Sequence, residues 1–241
     1  ENIIREEIDA AGAQELRLPA LQPQDIWDLS GRNQIFGDDM FRLSDRRDRP
    51  LVIAPTHEEL LTKLVAANVN SYRDLPIILY QIQTKFRDEP RPRAGLIRVR
   101  EFDMKDAYSF DDSEDQLDTS YKAMREAYKR IYRRCGVTVK MVEADSGAIG
   151  GKDSQEFMAP ANAGEDTIIF CDSCQYAANV ETAKVFIPAG KKDSLGDMQE
   201  VSTPGVKTID DLTQFFDIPA SKTLKVVFYW VDGEVVIATI R

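Results

Sequence analysis

Residues 84–102 read TKFRDEPRPRAGLIRVREF, and this arginine-rich stretch decides the predicted fold. Its prolines and glycine indicate a loop at residues 88–95, which joins the β-prone segments 77–86 and 96–104. Five arginines lie along the two strands and the loop, at positions 87, 91, 93, 98 and 100. The stretch therefore predicts an antiparallel hairpin that carries a concentrated positive charge.

This charge suits phosphate binding. Guanidinium groups are planar donors that match phosphate oxygens, so the hairpin is a candidate cradle for a polyphosphate. The Glu89 carboxylate can accept a hydrogen bond from an adenine amino group, and the Phe102 ring can stack on a base. A second interpretation stays open from the residues alone, namely a solvated basic hairpin whose arginines pair with Asp88, Glu89 and Glu101.

Helical and β patterns surround the hairpin. Apolar residues at helical spacing predict a helix over residues 2–11 that ends at Gly12, followed by a half-buried strand with Leu16 and Leu18. The spacings of Thr56 to Glu59 and of Ser113 to Gln116 predict capping boxes that open two further helices. The second of these helices is expected to end at Gly136, before a strand over residues 137–142.

A second unit is predicted after a change in composition. Residues 186–206 are rich in Gly, Pro, Lys and Asp, which indicates a linker. A helix over 208–216, a strand over 223–230, a turn at Asp232 and Gly233, and a strand over 234–240 follow. Two strands and one helix are too few to bury a core, so this unit is expected to be incomplete.

Composition restricts the class of protein. The chain has 241 residues, 43% of them hydrophobic, and contains no apolar run of the length that a membrane span requires. Its charged N-terminus and three cysteines agree with a cytosolic, reducing location. The net charge of −10 argues against extensive wrapping of nucleic acid, although a local basic patch can still bind phosphates.

The cysteine pair is weak evidence for a metal site. Cys171 and Cys174 have the spacing of two zinc ligands, but only Cys135 and His57 remain as ligands of the usual kind. We therefore expect no metal held by protein ligands. A redox role would require a thioredoxin-like pattern around the pair, which the sequence lacks.

A family resemblance rests on several motifs. FRDE at residues 86–89 and RVREF at residues 98–102 are similar to motif 2 of class II aminoacyl-tRNA synthetases. Further segments resemble bacterial prolyl-tRNA synthetases, and together they cover nearly the whole chain: PTHEE at 55–59, YQIQTKFRDE at 80–89, MKDAYSF at 104–110, ADSGAIGG at 144–151 and YAANVE at 176–181.

The resemblance implies a fold and a division of the chain. It implies an α+β fold, with the antiparallel class II synthetase sheet flanked by helices and the beginning of a small α/β editing insertion. Residues 1–185 would form the catalytic core, with a motif 1 remnant at about 2–23 and motif 2 at about 84–106. Residues 186–206 would be the linker, and residues 207–241 would begin the editing domain.

The implied reaction uses ATP and magnesium. Proline would attack the α-phosphate of ATP to give prolyl-adenylate, and the prolyl group would pass to the proline tRNA; positioning and charge neutralisation would supply the catalysis. Arg87 would be the catalytic residue, bridging the α-phosphate and the proline carboxylate. The ATP site would comprise Arg87 with Glu89 on adenine, Arg98 on the outer phosphates, Val99, and Phe102 stacked on adenine.

The resemblance also implies a proline site, formed by Thr56, Glu58, Arg87, Asp106 and Gln155. A helix N-cap alone would also explain Thr56, and His57 is expected to be a packing or hydrogen-bonding residue. Gln155 departs from the family, because residues 154–157 read SQEF where bacterial relatives carry Ser-His-Glu-Phe. Glutamine can donate and accept hydrogen bonds but cannot become a cation.

Lys225 matches the functional lysine of the editing domain, which removes alanine mistakenly attached to the proline tRNA. A lysine at a strand edge that faces water is the alternative. Nothing after Lys225 resembles motif 3, so the sequence is expected to be part of a longer enzyme and inactive by itself. Motif 1 implies a homodimer of the whole enzyme.

Three other functions are weighed against this one. The first is a class II synthetase of threonyl or seryl type, against which the segment at residues 104–110 argues. The second is a non-catalytic synthetase-like binding protein, which the retention of Arg87 and Glu89 disfavours. The third is a freestanding deacylase, which the nearly complete synthetase core disfavours.

Overall fold

The structure is a computed structural model that describes residues 1–145, 153–161, 164–174, 176–180, 182–184, 197–231 and 233–240. Its contacts divide the chain into two units, residues 1–185 and residues 186–241, and each is described by itself. Most of the predicted linker falls in residues 185–196, which lie outside the described residues, as do residues 146–151 and 181 of the family motifs and Asp232 of the predicted turn.

The first unit combines five helices with three sheets in the described residues. In chain order its elements are α1 (Asn2–Ala10), β1 (Gln14–Glu15), β2 (Leu21–Pro23), α2 (Asp25–Ser30), α3 (Arg32–Phe36), β3 (Phe41–Ser44), β4 (Pro50–Ile53), α4 (Glu58–Asn68), β5 (Ile77–Phe86), β6 (Glu101–Phe110), α5 (Glu114–Arg134), β7 (Lys140–Glu143), β8 (Gln155–Met158), β9 (Ile168–Phe170) and β10 (Ala177–Asn179). The sheets have the strand orders β1-β5-β6, β2-β4-β3 and β8-β7-β10-β9.

The long β5–β6 hairpin organises the first unit. Its antiparallel register runs from Ile77 opposite Phe110 to Phe86 opposite Glu101, and β1 pairs with β5 in parallel. Because successive side chains in a strand point to opposite faces, the hairpin has two distinct surfaces. One surface packs against α1 and α5, and the other packs against α4.

The surface towards α1 and α5 is the larger apolar core. Ile8 of α1 and Tyr80 of β5 are fully buried there, together with Ala127 and Ile131 of α5. Helix α1 ends as predicted, with Gly12 in a left-handed conformation at φ +90°. Its acidic residues pair with the last turns of α5, where Arg130 and Arg134 both contact Glu7.

The surface towards α4 mixes apolar and polar residues. Leu61 and Val65 of α4 pack on Leu79 of β5, and Tyr108 of β6 borders the same cluster. Inward positions nearer the end of β5 are polar, because Gln81, Gln83 and Lys85 continue the same face. This polar region adjoins the β2-β4-β3 sheet and leads to the candidate site.

The second unit contains one helix and one hairpin in the described residues. Helix α6 (Ile209–Phe216) starts with a capping box between Thr208 and Asp211. Strands β11 (Lys225–Val231) and β12 (Glu234–Ile240) pair antiparallel, with Lys225 opposite Ile240. In the described residues of the chain, no helix has the length and apolar character needed to cross a membrane.

Two sequence predictions near the site were wrong. The strand predicted at residues 96–104 begins instead at Glu101, because Ala94 and Gly95 adopt positive φ and open a turn that leaves Leu96 exposed at 91%. The capping box predicted for Thr56 is absent, since helix α4 begins at Glu58 with His57 as its N-cap and no side-chain capping bond. By contrast, Ser113 does accept a hydrogen bond from the Gln116 N–H at the start of α5.

Other predicted boundaries moved by a few residues. The strand expected around Leu16 and Leu18 is Gln14–Glu15, and the strand expected at residues 137–142 is Lys140–Glu143. The first strand of the second unit starts at Lys225 because residues 220–222 form a short 3-10 helix. The sheet β2-β4-β3 and helices α2 and α3 were not predicted.

Candidate active site

The beginning of α4 lies against the end of β5. The Phe86 N–H donates to the Ala54 carbonyl across 3.5 Å, and the Lys85 ammonium lies 2.8 Å from Nδ1 of His57. Because residues 54–58 and 85–87 are joined in this way, the predicted proline-binding residues Thr56 and Glu58 are close in space to the predicted catalytic strand end.

Thr56 and Glu58 form a hydrogen-bonded pair. The Thr56 hydroxyl is a donor to the Glu58 carboxylate, and Thr56 is buried whereas the Glu58 side chain remains partly accessible. Arg32 reaches the same carboxylate at 3.2 Å and also pairs with Glu59 at 3.0 Å. Glu58 and Arg32 line an open cleft of about 550 Å³, so the carboxylate is available to a cationic ligand.

Arg87 has an unused hydrogen-bonding atom. Its guanidinium carbon lies 5.5 Å from the centre of the Phe102 ring, and its main-chain N–H donates to the Arg100 carbonyl. Among the described residues, the buried Nε of Arg87 has no hydrogen-bond partner. A buried donor without a partner is costly, and an anion placed beside it would satisfy it.

Three other arginines of the hairpin, Arg93, Arg98 and Arg100, form ion pairs. Arg98 contacts the Glu89 carboxylate at 2.9 Å, and Arg100 contacts Asp88 at 3.0 Å. The hydrogen bond from Arg98 lowers the pKa of Glu89 below its usual value, so this carboxylate is an anion. The alternative of a basic hairpin with ion-paired arginines therefore fits Arg98 and Arg100. It does not fit Arg87.

Glu165 is an additional acidic partner of the hairpin. Its carboxylate lies 2.7 Å from Arg93 and 3.6 Å from Arg98. Val99 is half-buried and lies between Arg98 and Arg100, just before β6. Glu165 could not be predicted from the sequence, because its contact with Arg93 spans 72 residues and leaves no local pattern.

A buried polar network lies behind the site. The Lys85 ammonium is 2.9 Å from Oδ1 of Asp106, and Oδ2 of Asp106 accepts hydrogen bonds from Gln81 at 2.9 Å and from the Tyr108 hydroxyl at 2.6 Å. The Tyr108 hydroxyl in turn accepts from the His57 N–H at 3.2 Å. Of these residues, sequence reasoning proposed a substrate role only for Asp106.

The polar periodicity of β5 could have revealed the network. Residues 77 and 79 of β5 are apolar and face α4, so residues 81, 83 and 85 on the same face are expected to be buried. Polar side chains at buried positions require partners, and Asp106 of the neighbouring strand is the partner of both Gln81 and Lys85.

The network fixes the protonation state of His57. Burial lowers the pKa of His57, and the neighbouring Lys85 cation lowers it further. Since an ammonium can only donate, Nδ1 must accept from Lys85, and Nε2–H then donates to the Pro19 carbonyl at 3.1 Å. His57 is therefore a neutral hydrogen-bonding residue, in agreement with the sequence prediction.

The remaining predicted residues lie elsewhere. Gln155 of β8 lines a cleft of about 560 Å³ together with Lys105 and Tyr128, on the α5 side of β6 and opposite to Asp106. The structure therefore does not bring Gln155 together with Thr56 and Glu58. Lys225 belongs to the second unit, where it is the exposed first residue of β11.

The cysteine pair lies beside β9. The Cys171 sulfur is 3.2 Å from the Ser173 hydroxyl, and hydrogen bonds from Ser173 and Cys174 lower the pKa of Cys171 to about 7. Within the ranges that the structure describes, no group of three or more His, Cys, Asp or Glu side chains could hold a metal ion.

These features define a class of protein, and comparison with known families agrees. Residues 41–217 match the family model of the tRNA synthetase class II core domain (G, H, P, S and T), so the chain belongs to the class II tRNA synthetases. The expected mixture of helices and antiparallel-rich sheets is confirmed by this match.

The most informative relatives are proline enzymes. The Proline--tRNA ligase of Dehalococcoides mccartyi (strain CBDB1) is 56% identical over 241 residues, which are 100% of this chain and 42% of that protein. The Proline--tRNA ligase of Caldicellulosiruptor saccharolyticus is 52% identical over 242 residues, again covering 100% of this chain and 42% of that protein. The resemblance to prolyl-tRNA synthetases is therefore confirmed, and the chain spans less than half the length of these relatives.

A solved structure shows the same fold. The Giardia lamblia prolyl-tRNA synthetase in complex with prolyl-adenylate aligns with a TM-score of 0.55 and 21% identity. The alignment covers 59% of this chain and 30% of that one. At this identity the likeness is evidence for the fold alone.

Proposed function

We propose that this chain is the catalytic-core part of a proline--tRNA ligase. The enzyme activates proline with ATP and transfers the prolyl group to the proline tRNA. The observation that carries the proposal is the buried, unpartnered Nε of Arg87, at the junction with the Thr56–Glu58 pair. The identity of 56% to a Proline--tRNA ligase supports proline as the amino acid.

In the first step, a carboxylate oxygen of proline attacks the α-phosphorus of ATP, and the bond to the β-phosphate oxygen breaks to release pyrophosphate. Arg87 holds both the attacking carboxylate and the α-phosphate, which aligns them and neutralises the charge that grows on phosphorus. Thr56 and Glu58 receive the secondary ammonium of proline. In the second step, a terminal ribose hydroxyl of the tRNA attacks the prolyl carbonyl and releases AMP.

The hairpin holds the rest of ATP. Phe102 stacks on adenine, Val99 borders the ring, Glu89 accepts from its amino group, and Arg98 binds the outer phosphates. Because Arg98 is paired with Glu89 and Glu165 in the structure, ATP binding exchanges these ion pairs for contacts with phosphate and adenine. Magnesium bound to the phosphates of ATP would shield their charge and would need few protein ligands.

The proposal extends to the whole enzyme. It places the enzyme in the cytoplasm as a homodimer formed through motif 1, with α1 and the following residues as the remnant of that motif. The second unit begins an editing domain in which Lys225 acts on alanyl-tRNA. Gln155 remains a candidate proline contact only if the complete enzyme brings β8 nearer to Glu58.

Exchange of pyrophosphate into ATP tests the proposal. We expect the full-length protein to catalyse exchange with proline and little with threonine or serine, and Arg87→Ala to lose at least about a hundredfold, as loss of one transition-state donor does. Lys122→Ala, on the exposed side of α5, serves as the matched control. A folded full-length protein without exchange would instead be a synthetase-like binding protein.

Editing is tested separately. We expect the full-length protein to hydrolyse proline tRNA that carries alanine. The Lys225→Ala variant should lose this hydrolysis and retain pyrophosphate exchange. Equal rates of deacylation by the wild type and the variant would mean that Lys225 is a water-facing residue of β11 without a role in editing.

A further inference from the structure

We propose that Lys85 is a positioning residue that holds the proline-binding residues in place from behind. This inference rests on the proposed function and deepens it. Lys85 would not touch substrate; it acts through His57 and Asp106. The proposal is carried by a closed ring of three hydrogen bonds and one ion pair, which includes His57, the residue between Thr56 and Glu58 in the sequence.

Lys85 joins separate parts of the chain at one buried point. It is completely inaccessible to solvent, and its ammonium contacts Asp106 of β6 at 2.9 Å and His57 at the start of α4 at 2.8 Å. A buried ammonium is tolerated only where it is paired and hydrogen-bonded. The buried Lys85 ammonium therefore keeps Asp106 and His57 in a fixed arrangement.

Three hydrogen bonds and the ion pair between Lys85 and Asp106 form a closed ring. From Lys85 the ring passes through the His57 side chain to the His57 main-chain N–H, which donates to the Tyr108 hydroxyl at 3.2 Å. Tyr108 donates to Asp106 at 2.6 Å, and Asp106 returns to Lys85. Because both the side chain and the main chain of His57 take part, the ring fixes the backbone between Thr56 and Glu58.

The ring also distinguishes the two carboxylates near the site. Asp106 is buried; its Oδ2 accepts hydrogen bonds from Gln81 and Tyr108, and its Oδ1 accepts none but lies at ion-pair distance from Lys85. Glu58 is partly accessible and lines an open cleft. The substrate ammonium is therefore received by Glu58, and Asp106 anchors the pocket without contacting the ammonium.

Steady-state kinetics of the full-length enzyme test this role. We expect Lys85→Met to raise the KM for proline at least about tenfold while the KM for ATP stays within about twofold, because the Lys85 ammonium contacts His57 and Asp106 and not the side chains proposed to bind ATP. Lys129→Met, which alters an exposed lysine of α5, is the matched control and should change neither value.

A second variant keeps the test decisive if Lys85→Met does not fold. Lys85→Met combined with Asp106→Asn removes both buried charges together, so it should restore folding without restoring the KM for proline. Three results would overturn the proposal and assign Lys85 to stability alone. They are an unchanged KM for proline in either folded variant, equal changes in the KM values for proline and ATP, and misfolding of the double variant.

The proposed function can fail separately from this inference. Wild-type exchange with proline supports the ligase function whatever the variants do. Wild-type protein that exchanges pyrophosphate with another amino acid or with none would overturn both proposals. Active wild type with unaffected variants would overturn only the role of Lys85.

Discussion

Lys85 and His57 share one buried hydrogen bond, and each sets the protonation state of the other. The ammonium can only donate, so the imidazole is held neutral with its proton on Nε2. Burial lowers the pKa of both groups. Acid would therefore act on the site first through His57, the only histidine of the 241 residues.

This predicts a pH dependence of stability. Because the folded-state pKa of His57 lies below the unfolded value of about 6.5, the unfolded chain binds more protons between the two values. The free energy of unfolding should therefore fall as pH drops below about 6.5. In His57→Gln this part of the slope should vanish; urea titrations of both proteins from neutral to mildly acidic pH measure it. Parallel slopes would contradict the prediction.

Single residues of the site were predictable to different degrees. Arg87, Glu89 and Phe102 could be proposed because a motif and its chemistry coincide within a short stretch. Lys85, Tyr108 and Gln81 could not be ranked from the sequence, because their role depends on register between β5 and β6. The prediction that Thr56 caps helix α4 was wrong because the helix starts at Glu58. The Thr56 hydroxyl donates instead to the Glu58 carboxylate.

Among the elements, the arginine hairpin has three of its five arginines, Arg93, Arg98 and Arg100, in ion pairs with acidic side chains. Glu165 contacts both Arg93 and Arg98, so it competes with phosphate for these guanidinium groups. Exposed ion pairs of this kind are worth at most about 1 kcal/mol. Their removal should therefore have a small effect that favours ATP.

We predict that Glu165→Gln lowers the KM for ATP by about two- to fivefold, which corresponds to loss of such a pair. Pyrophosphate exchange at varied ATP concentration in the full-length enzyme measures it, and the KM for proline should not change. Glu114→Gln, which neutralises an exposed acidic residue in the first turn of α5, is the control. A raised KM for ATP would mean that Glu165 orients Arg98 for the ligand.

Helix α1 depends on one apolar residue. Ile8 is fully buried among Tyr80, Ala127 and Ile131. We predict that Ile8→Ala lowers the free energy of unfolding by about 2–5 kcal/mol, whereas Leu29→Ala, at a position 90% exposed, changes it by less than about 0.5 kcal/mol. Urea unfolding followed by Trp27 fluorescence, in a Trp230→Phe background, measures the first unit. Equal effects would contradict this core.

The predictability of an element followed the strength of its periodicity. Strand β5 was predicted at its observed bounds because a long apolar and β-prone run is bounded by turn residues. Strand β6 was displaced because residues 96 and 97 are apolar yet occupy an exposed turn. Strands β2, β3 and β4 were missed because each spans only a few residues and is defined by its partners.

For the whole molecule, charge must be considered region by region. The chain carries a net charge of −10, yet five arginines are concentrated in residues 87–100. An acidic protein repels nucleic acid over most of its surface, so contacts with the proposed tRNA should be few and local. The family match and the fold were predictable because they rest on motifs spread over the first unit. The homodimer that motif 1 implies stays a prediction.

This leads to a prediction for tRNA binding. Arg91 is exposed, and among the described residues it has no ion pair shorter than 4.0 Å. We expect Arg91→Ala in the full-length enzyme to weaken tRNA binding and to reduce the slope of log affinity against log salt by about one, the value for a single phosphate contact. Filter binding over a salt series measures the slope, with Lys122→Ala as control. An unchanged slope would place Arg91 away from the tRNA.

The packing of α1 against α5 has a consequence for synthesis on the ribosome. Glu7 and Arg130 are separated by 123 residues, so α1 emerges long before its partner helix exists. At about 5–20 residues per second, the wait amounts to roughly 6–25 s. During this time Ile8 lacks its cover from α5, and the nascent chain is open to capture by chaperones. Docking of α1 on α5 therefore waits for the synthesis of α5.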